Sequence, residues 1–82
     1  MKLPTEVHVR APGMPSAIRT VEEAVRLIDH KLPCQLASLP RWTFARALLL
    51  EATRTGKSRD MKAALRQLKQ AVRNEHWDPE SS

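Results

Sequence analysis

The sequence predicts an α+β domain: an N-terminal two-stranded antiparallel β-hairpin packed on a three-helix bundle. Three observations predict it. Polar and apolar residues alternate from Glu6 to Ala11 ahead of a Pro-Gly turn. Three later stretches repeat apolar residues at helical spacing, and proline, glycine and capping residues separate them where helices must start and stop. With 82 residues the chain is long enough for one small domain, spanning 1–82, and too short for two.

The hairpin is expected over residues 6–19. Val7, Val9 and Ala11 share one face of the first strand, as a period of two requires. Pro12-Gly13 offers the fixed φ and the permissive φ of a type II turn, Met14-Pro15 completes the loop, and Ser16 to Arg19 returns as the second strand. Two strands alone are marginal in water, so the Val7, Val9 and Ile18 face must lie on helices.

The first helix is expected over 20–32. Thr20 can accept from the backbone three residues on, while Glu23 reaches back to the Thr20 amide in a capping box. Val21, Ala24, Val25, Ile28 and Leu32 form its apolar face, and Pro33 ends it. A connector runs from Cys34 to Leu39. The second helix, over 39–55, takes its cap from Ser38 or Leu39, carries Pro40 in its first turn and stops at Gly56. Trp42, Ala45, Leu48, Leu49 and Ala52 make its main stripe. Phe44, Ala47 and Leu50 fall outside it, leaving more apolar surface than two neighbouring helices cover unless the hairpin takes the rest. Self-association into a homodimer through that surplus face is the alternative.

The third helix is expected over 58–76, capped by Ser58, with Asp60 favourable near its positive end. Met61, Ala64, Leu65, Leu68, Ala71 and Val72 cover an arc of about 120° at ~100° per residue, an ordinary core face. Arg59, Lys62, Arg66, Lys69 and Arg73 occupy a separate arc of about 80°, with no acid between them. Residues 78–82 are expected to fray as a polar tail.

Composition narrows the chemistry. A net charge of +5 permits acidic partners, and only three aromatics, Trp42, Phe44 and Trp77, are available to fill a core. Cys34 is the only cysteine, so no internal disulfide forms and a reducing cytoplasmic compartment of bacterial style is expected. The N-terminal residues lack the apolar run of a signal peptide, and no window approaches the ~18 apolar residues of a membrane span.

Enzymatic signals fail on geometry. Gly56-Lys57-Ser58 resembles the end of a phosphate loop, but the first glycine of that motif would stand at Glu51, inside a helix. His30 and Cys34 are four apart with Pro33 between them. His8 and His76 could only complete a metal set from a distance, and no Cys-x-x-Cys pair exists. Cys34 has no evident base to activate it, and no carboxylate pair sits on an apolar face where desolvation would raise a pKa. The expectation is a protein with no catalytic residue, no cofactor and no metal.

The order of elements and several local signatures resemble a bacterial family, domain of unknown function family 982. The resemblance covers residues 6–77 and rests on a Val-x-Val strand, a glycine-containing turn, Val21-Glu22-Glu23-Ala24 opening a helix that ends at Leu32-Pro33, an alanine- and leucine-rich helix closing on Gly56, and a final alanine-rich helix. The family usually has Trp-Pro where Leu32-Pro33 stands, and its last helix is less basic. The resemblance implies the fold and brings no activity with it.

What remains is the basic row Arg59, Lys62, Arg66, Lys69 and Arg73. A charge row opposite a core face often serves only solubility. As a functional surface it points to an acidic protein partner, making the chain a small binding or regulatory protein. Weak sequence-independent nucleic-acid binding through phosphates is the alternative, although no stacking aromatic sits among the cations. A membrane is not expected as partner, because the apolar face of the same helix is needed for the core.

Overall fold

β1 (Lys2–His8) and β2 (Ala17–Thr20) form an antiparallel pair that sets Val7 opposite Ile18 and His8 opposite Ala17. The computed structural model describes residues 1–11 and 13–77, so the expected frayed tail at 78–82 lies outside the described residues. The α+β class holds: the hairpin is followed by α1 (Val21–Arg26), α2 (Cys34–Ala37), α3 (Pro40–Thr55) and α4 (Ser58–Asn74).

β1 starts four residues earlier than the alternation from Glu6 predicts. Pro4 argues against a strand in a sequence, yet in a two-stranded sheet every strand is an edge and has an unpaired side. The ladder slips between Lys2 and Val7, so Leu3 and Val7, both buried, are separated by three exposed residues. At the other end, Val9 and Ala11 leave the strand. The Val9 amide nevertheless donates to the Ser16 carbonyl at 3.0 Å, and the Met14 amide donates to Ala11 at 3.2 Å around a Gly13 of φ +77°. That left-handed φ is what the glycine supplies.

Thr20 caps α1 as expected, its hydroxyl accepting from the Glu23 amide at 3.1 Å. The reciprocal half differs: Glu23 accepts from the Arg19 amide, one residue before the cap, at 3.0 Å. The single helix expected over 20–32 is divided. After Arg26 the backbone widens to a π turn over Leu27–Lys31, closed by the Leu32 amide donating to the Leu27 carbonyl at 2.9 Å. Leu32 then takes the extended backbone that a residue before proline prefers. Leu27, whose amide still donates to Glu23 and Ala24 in the α-helical manner, is buried in the core beside Ile28, and Val25 is only half-buried.

The connector is not wholly irregular, since α2 makes one helical turn in it. Ser38 donates to the Gln35 carbonyl, and Leu39 is the N-cap of α3 without a side-chain cap. Pro40 opens α3, and Gly56 closes it at φ +69°, its amide donating to Ala52 at 2.8 Å. The cap of α4 moves by one residue: Lys57 holds the position, and Ser58 is the first helical residue. α4 has no side-chain cap; beside its start the Thr55 hydroxyl accepts from the Lys57 amide and donates to Asp60 Oδ2 at 2.6 Å. α4 stops at Asn74, two residues before the expected limit. His76 takes a left-handed φ of +60°, with the His76 amide donating to Arg73 and the Trp77 amide to Val72. Those two bonds are a Schellman stop with histidine where glycine is usual.

The core is built where α3 and α4 meet. Ala45 and Ala52 on one helix and Ala64 and Ala71 on the other are fully buried, and such small side chains let two backbones approach closely. Trp42, Leu49, Leu68 and Val72 fill the space beside them, and Leu3, Val7, Val9 and Ile18 close it from the hairpin side. α1 packs against α3 and β2, and β1 packs against α4.

The far end of this pair is locked by Glu75. Its carboxylate, 9 % exposed, accepts from Arg41 Nη2 at 2.9 Å and from the Trp42 indole N–H at 3.5 Å. Next to it the Trp42 and Trp77 rings lie 6.0 Å apart at 41°, and the Arg10 amide donates to the Trp77 carbonyl at 2.6 Å. The start of α3, the end of α4 and the hairpin loop meet in one place.

Candidate binding surface on the last helix

All five residues of the predicted basic row are exposed on α4. Their spacing is 3, 4, 3, 4, so successive cations stand about 5 Å apart along the axis and the row runs about 21 Å at ~1.5 Å per residue. A repeat of 3.5 drifts only ~20° per heptad on a straight helix, which keeps the row nearly linear.

Two features leave the row unneutralised. The acids nearest to it, Asp60 at one end of α4 and Glu75 just past the other, are turned inward, onto Thr55 and onto Arg41 and Trp42. Among the described residues no ion pair involves Arg59, Lys62, Arg66, Lys69 or Arg73, whereas Arg19, Arg41, Arg46 and Arg54 each meet a carboxylate. The arrangement concentrates positive charge on one strip.

Tertiary packing fixes where that strip faces. Gln67 donates to the Arg41 carbonyl at 3.3 Å and Asp60 meets Thr55, so both mark the flank of α4 that lies on α3. At ~100° per residue the centre of the row is roughly 130° around the helix from them, on the flank away from α3. Between the two, Ala63, Gln70 and Asn74 form an exposed strip without charge. A rigid helix braced by α3 and β1 thus presents the cations as a preformed edge.

Other candidate chemistry is dispersed. His8, His30, His76 and Cys34 are each exposed, and among the described residues no three of His, Cys, Asp or Glu are gathered to hold a metal ion. Gly56-Lys57-Ser58 forms the α3–α4 corner with Glu51 inside α3, which fits no phosphate loop. No helix among the described residues is long and apolar enough to cross a membrane.

Sequence reasoning missed one surface feature, a shallow groove of about 320 Å³ between α1, the π turn and α3. Val21, Val25 and Leu50 give it apolar walls, and Glu22, Arg26, Asp29 and His30 line it with both signs of charge. Asp29 accepts from Arg46 Nε at 2.7 Å; that hydrogen bond and the guanidinium charge lower the Asp29 pKa below the usual aspartate value. A groove of mixed charge selects no one ligand chemistry. The π turn that shapes it leaves no mark in hydrophobic periodicity.

Compared with known protein families, curated proteins and solved structures, the chain matches none.

Proposed function

We propose that the protein is a small non-catalytic binding module of the cytoplasm, and that α4 docks an acidic protein partner through Arg59, Lys62, Arg66, Lys69 and Arg73. The observation that carries this reading is the unneutralised linear row with both neighbouring acids turned inward. The resemblance to family 982 brings no activity, so the reading rests on this surface alone. A partner helix with carboxylates at the same 3, 4 spacing meets the row charge for charge, since both repeat every ~3.5 residues. Exposed pairs are individually weak, worth about 0–1 kcal/mol each, and depend on salt; five acting together steer and orient a partner.

Nucleic acid is the second reading, favoured by the length of the row and its lack of internal partners. Against it, the described tryptophans are occupied with each other at 6.0 Å and offer no stacking platform beside the cations.

Titration separates the two readings. A helical peptide with glutamates at 3, 4 spacing should bind the wild-type chain. Lys62→Glu, Arg66→Glu and Lys69→Glu together should abolish binding, while the same reversals at Lys2, Arg26 and Lys31 should only weaken it through net charge. Equal losses from both triples reduce the effect to nonspecific attraction and overturn the reading. Mixed-sequence DNA or RNA bound more tightly than the peptide, with log K falling against log salt at a slope of about −4 to −5, selects phosphate contacts instead.

A further inference from the structure

One side of β1 pairs with β2, and its other side borders the basic row. The Val9 amide donates to the Ser16 carbonyl, so Val7 and Val9 turn their backbone groups toward β2, and the alternation of a strand turns those of Glu6, His8 and Arg10 outward. The Arg10 amide shows the direction, since it donates at 2.6 Å to the Trp77 carbonyl just past the end of α4. Among the described residues no third strand pairs with this edge at Glu6 and His8. Because β2 packs against α1 and β1 against α4, the outer edge of β1 lies on the α4 side of the molecule. The core face of α4 ends at Leu65 on the flank away from α3, and Lys69 and Lys62 follow it at ~40° and ~60° around the helix. Strand edge and cations are neighbours. The one carboxylate of β1, on Glu6, is held by Arg19 at 3.2 Å.

We propose that an extended acidic segment of a partner protein docks here as a third strand on β1, its backbone paired with Glu6 and His8 and its carboxylates turned onto Lys62, Lys69 and the rest of the row. This form of docking rests on the reading of α4 as the seat of an acidic partner and adds the conformation of the docked segment. Two chemistries select it. The backbone N–H and C=O groups of an edge are matched by another main chain, and the unneutralised cations beside them call for carboxylates on that chain. The row alone accepts a helix, but a helix spends its backbone hydrogen bonds on itself and leaves the edge open. An extended chain meets both. Its alternate side chains share one face about 6.6–6.8 Å apart, and the flexible stems of lysine and arginine take up the difference from the ~5 Å between successive cations. Trp77 bounds the pairing at Arg10, where its carbonyl already occupies the edge.

The test leaves the protein intact and changes the ligand. The probe is a short peptide alternating glutamate with threonine, compared by calorimetry with the helical glutamate peptide of equal charge. The alternating peptide should bind more tightly, and Lys62→Glu with Lys69→Glu should abolish its binding. Two N-methylated forms, one blocked at every threonine and one at every glutamate, keep the charge and each lose the donors of one edge. One of them should bind at least about tenfold more weakly than the other, because only one edge faces β1. Amide hydrogen exchange in the complex should slow at least about tenfold at His8, while Val9, already bonded to Ser16, serves as the unchanged control. Equal affinity of the two N-methylated forms, or unchanged exchange at His8 in the bound state, overturns the strand pairing. Tighter binding of the helical peptide overturns it too and leaves the acidic-partner reading of α4 standing; no binding of either peptide removes both.

Discussion

Trp77, three residues past the end of α4, packs on Trp42 in the first turn of α3 with ring centroids 6.0 Å apart and planes tilted by 41°. The contact works together with the Trp77 carbonyl, which accepts from the Arg10 amide at 2.6 Å and so holds the hairpin loop as well. Trp77→Ala removes the ring contact and half-buried apolar area, and should lower stability by about 1–3 kcal/mol in urea unfolding. A loss under about half a kilocalorie would mean that the closure of this end contributes little.

The two left-handed helix stops should respond in opposite directions. His76 holds φ +60°, a conformation costly for a side chain with a Cβ, so His76→Gly should raise stability by about 0.5–1 kcal/mol. Gly56 holds φ +69° at the end of α3, so Gly56→Ala should lower it by about 1–2 kcal/mol although no atom within 4 Å obstructs the added methyl. Paired thermal melts check both, and a loss on His76→Gly would show that the histidine side chain contributes something its backbone does not explain.

Core position and surface position on neighbouring helices provide a third comparison. Leu68 is fully buried against the hairpin and α3, and Leu68→Ala should destabilise by about 2–5 kcal/mol through lost transfer energy and the cavity left behind. Phe44→Ala on the outward side of α3 should stay within about 0.5 kcal/mol under dilute, monomeric conditions. Chemical denaturation at a few micromolar measures both.

The Asp29–Arg46 bridge ties the π turn to α3, and its pH dependence follows from the direction of the shift. The Arg46 guanidinium holds the Asp29 carboxyl below its ordinary pKa, so the stabilisation is fully present above the unfolded aspartate value and is lost as pH falls through the lowered folded value. Asp29→Asn should therefore cost stability at neutral pH, and the difference from wild type should vanish in strong acid. Carboxyl NMR titration should place Asp29 below the aspartates of an unfolded peptide, and Arg46→Ala should return it to the ordinary range.

Local chemistry by itself determined several features. Thr20 with Glu23 three residues on, Pro40 in a first turn and Gly56 at a left-handed stop act within one turn of chain, so each marks its boundary without reference to the rest of the fold. The apolar face of α4 is equally local, because Met61, Ala64, Leu65, Leu68, Ala71 and Val72 fall on one side of any α-helix. The five cations followed from the same geometry, which is why the row was legible as a row.

Tertiary structure decided what periodicity does not encode. Pro4 is tolerated inside β1 because the sheet stops at two strands, and the π turn after Arg26 is a change in helical pitch that no pattern of apolar residues announces. Glu75 and Arg41 are 34 residues apart, and Trp42 meets Trp77 only because α3 and α4 run antiparallel. A charged row becomes an unneutralised edge only after packing has turned Asp60 and Glu75 inward and set the row on the flank away from α3. The sequence determined which residues share a helix face, since that depends on ~100° per residue alone; the fold decided which face is free, since that depends on contacts between residues distant in the chain.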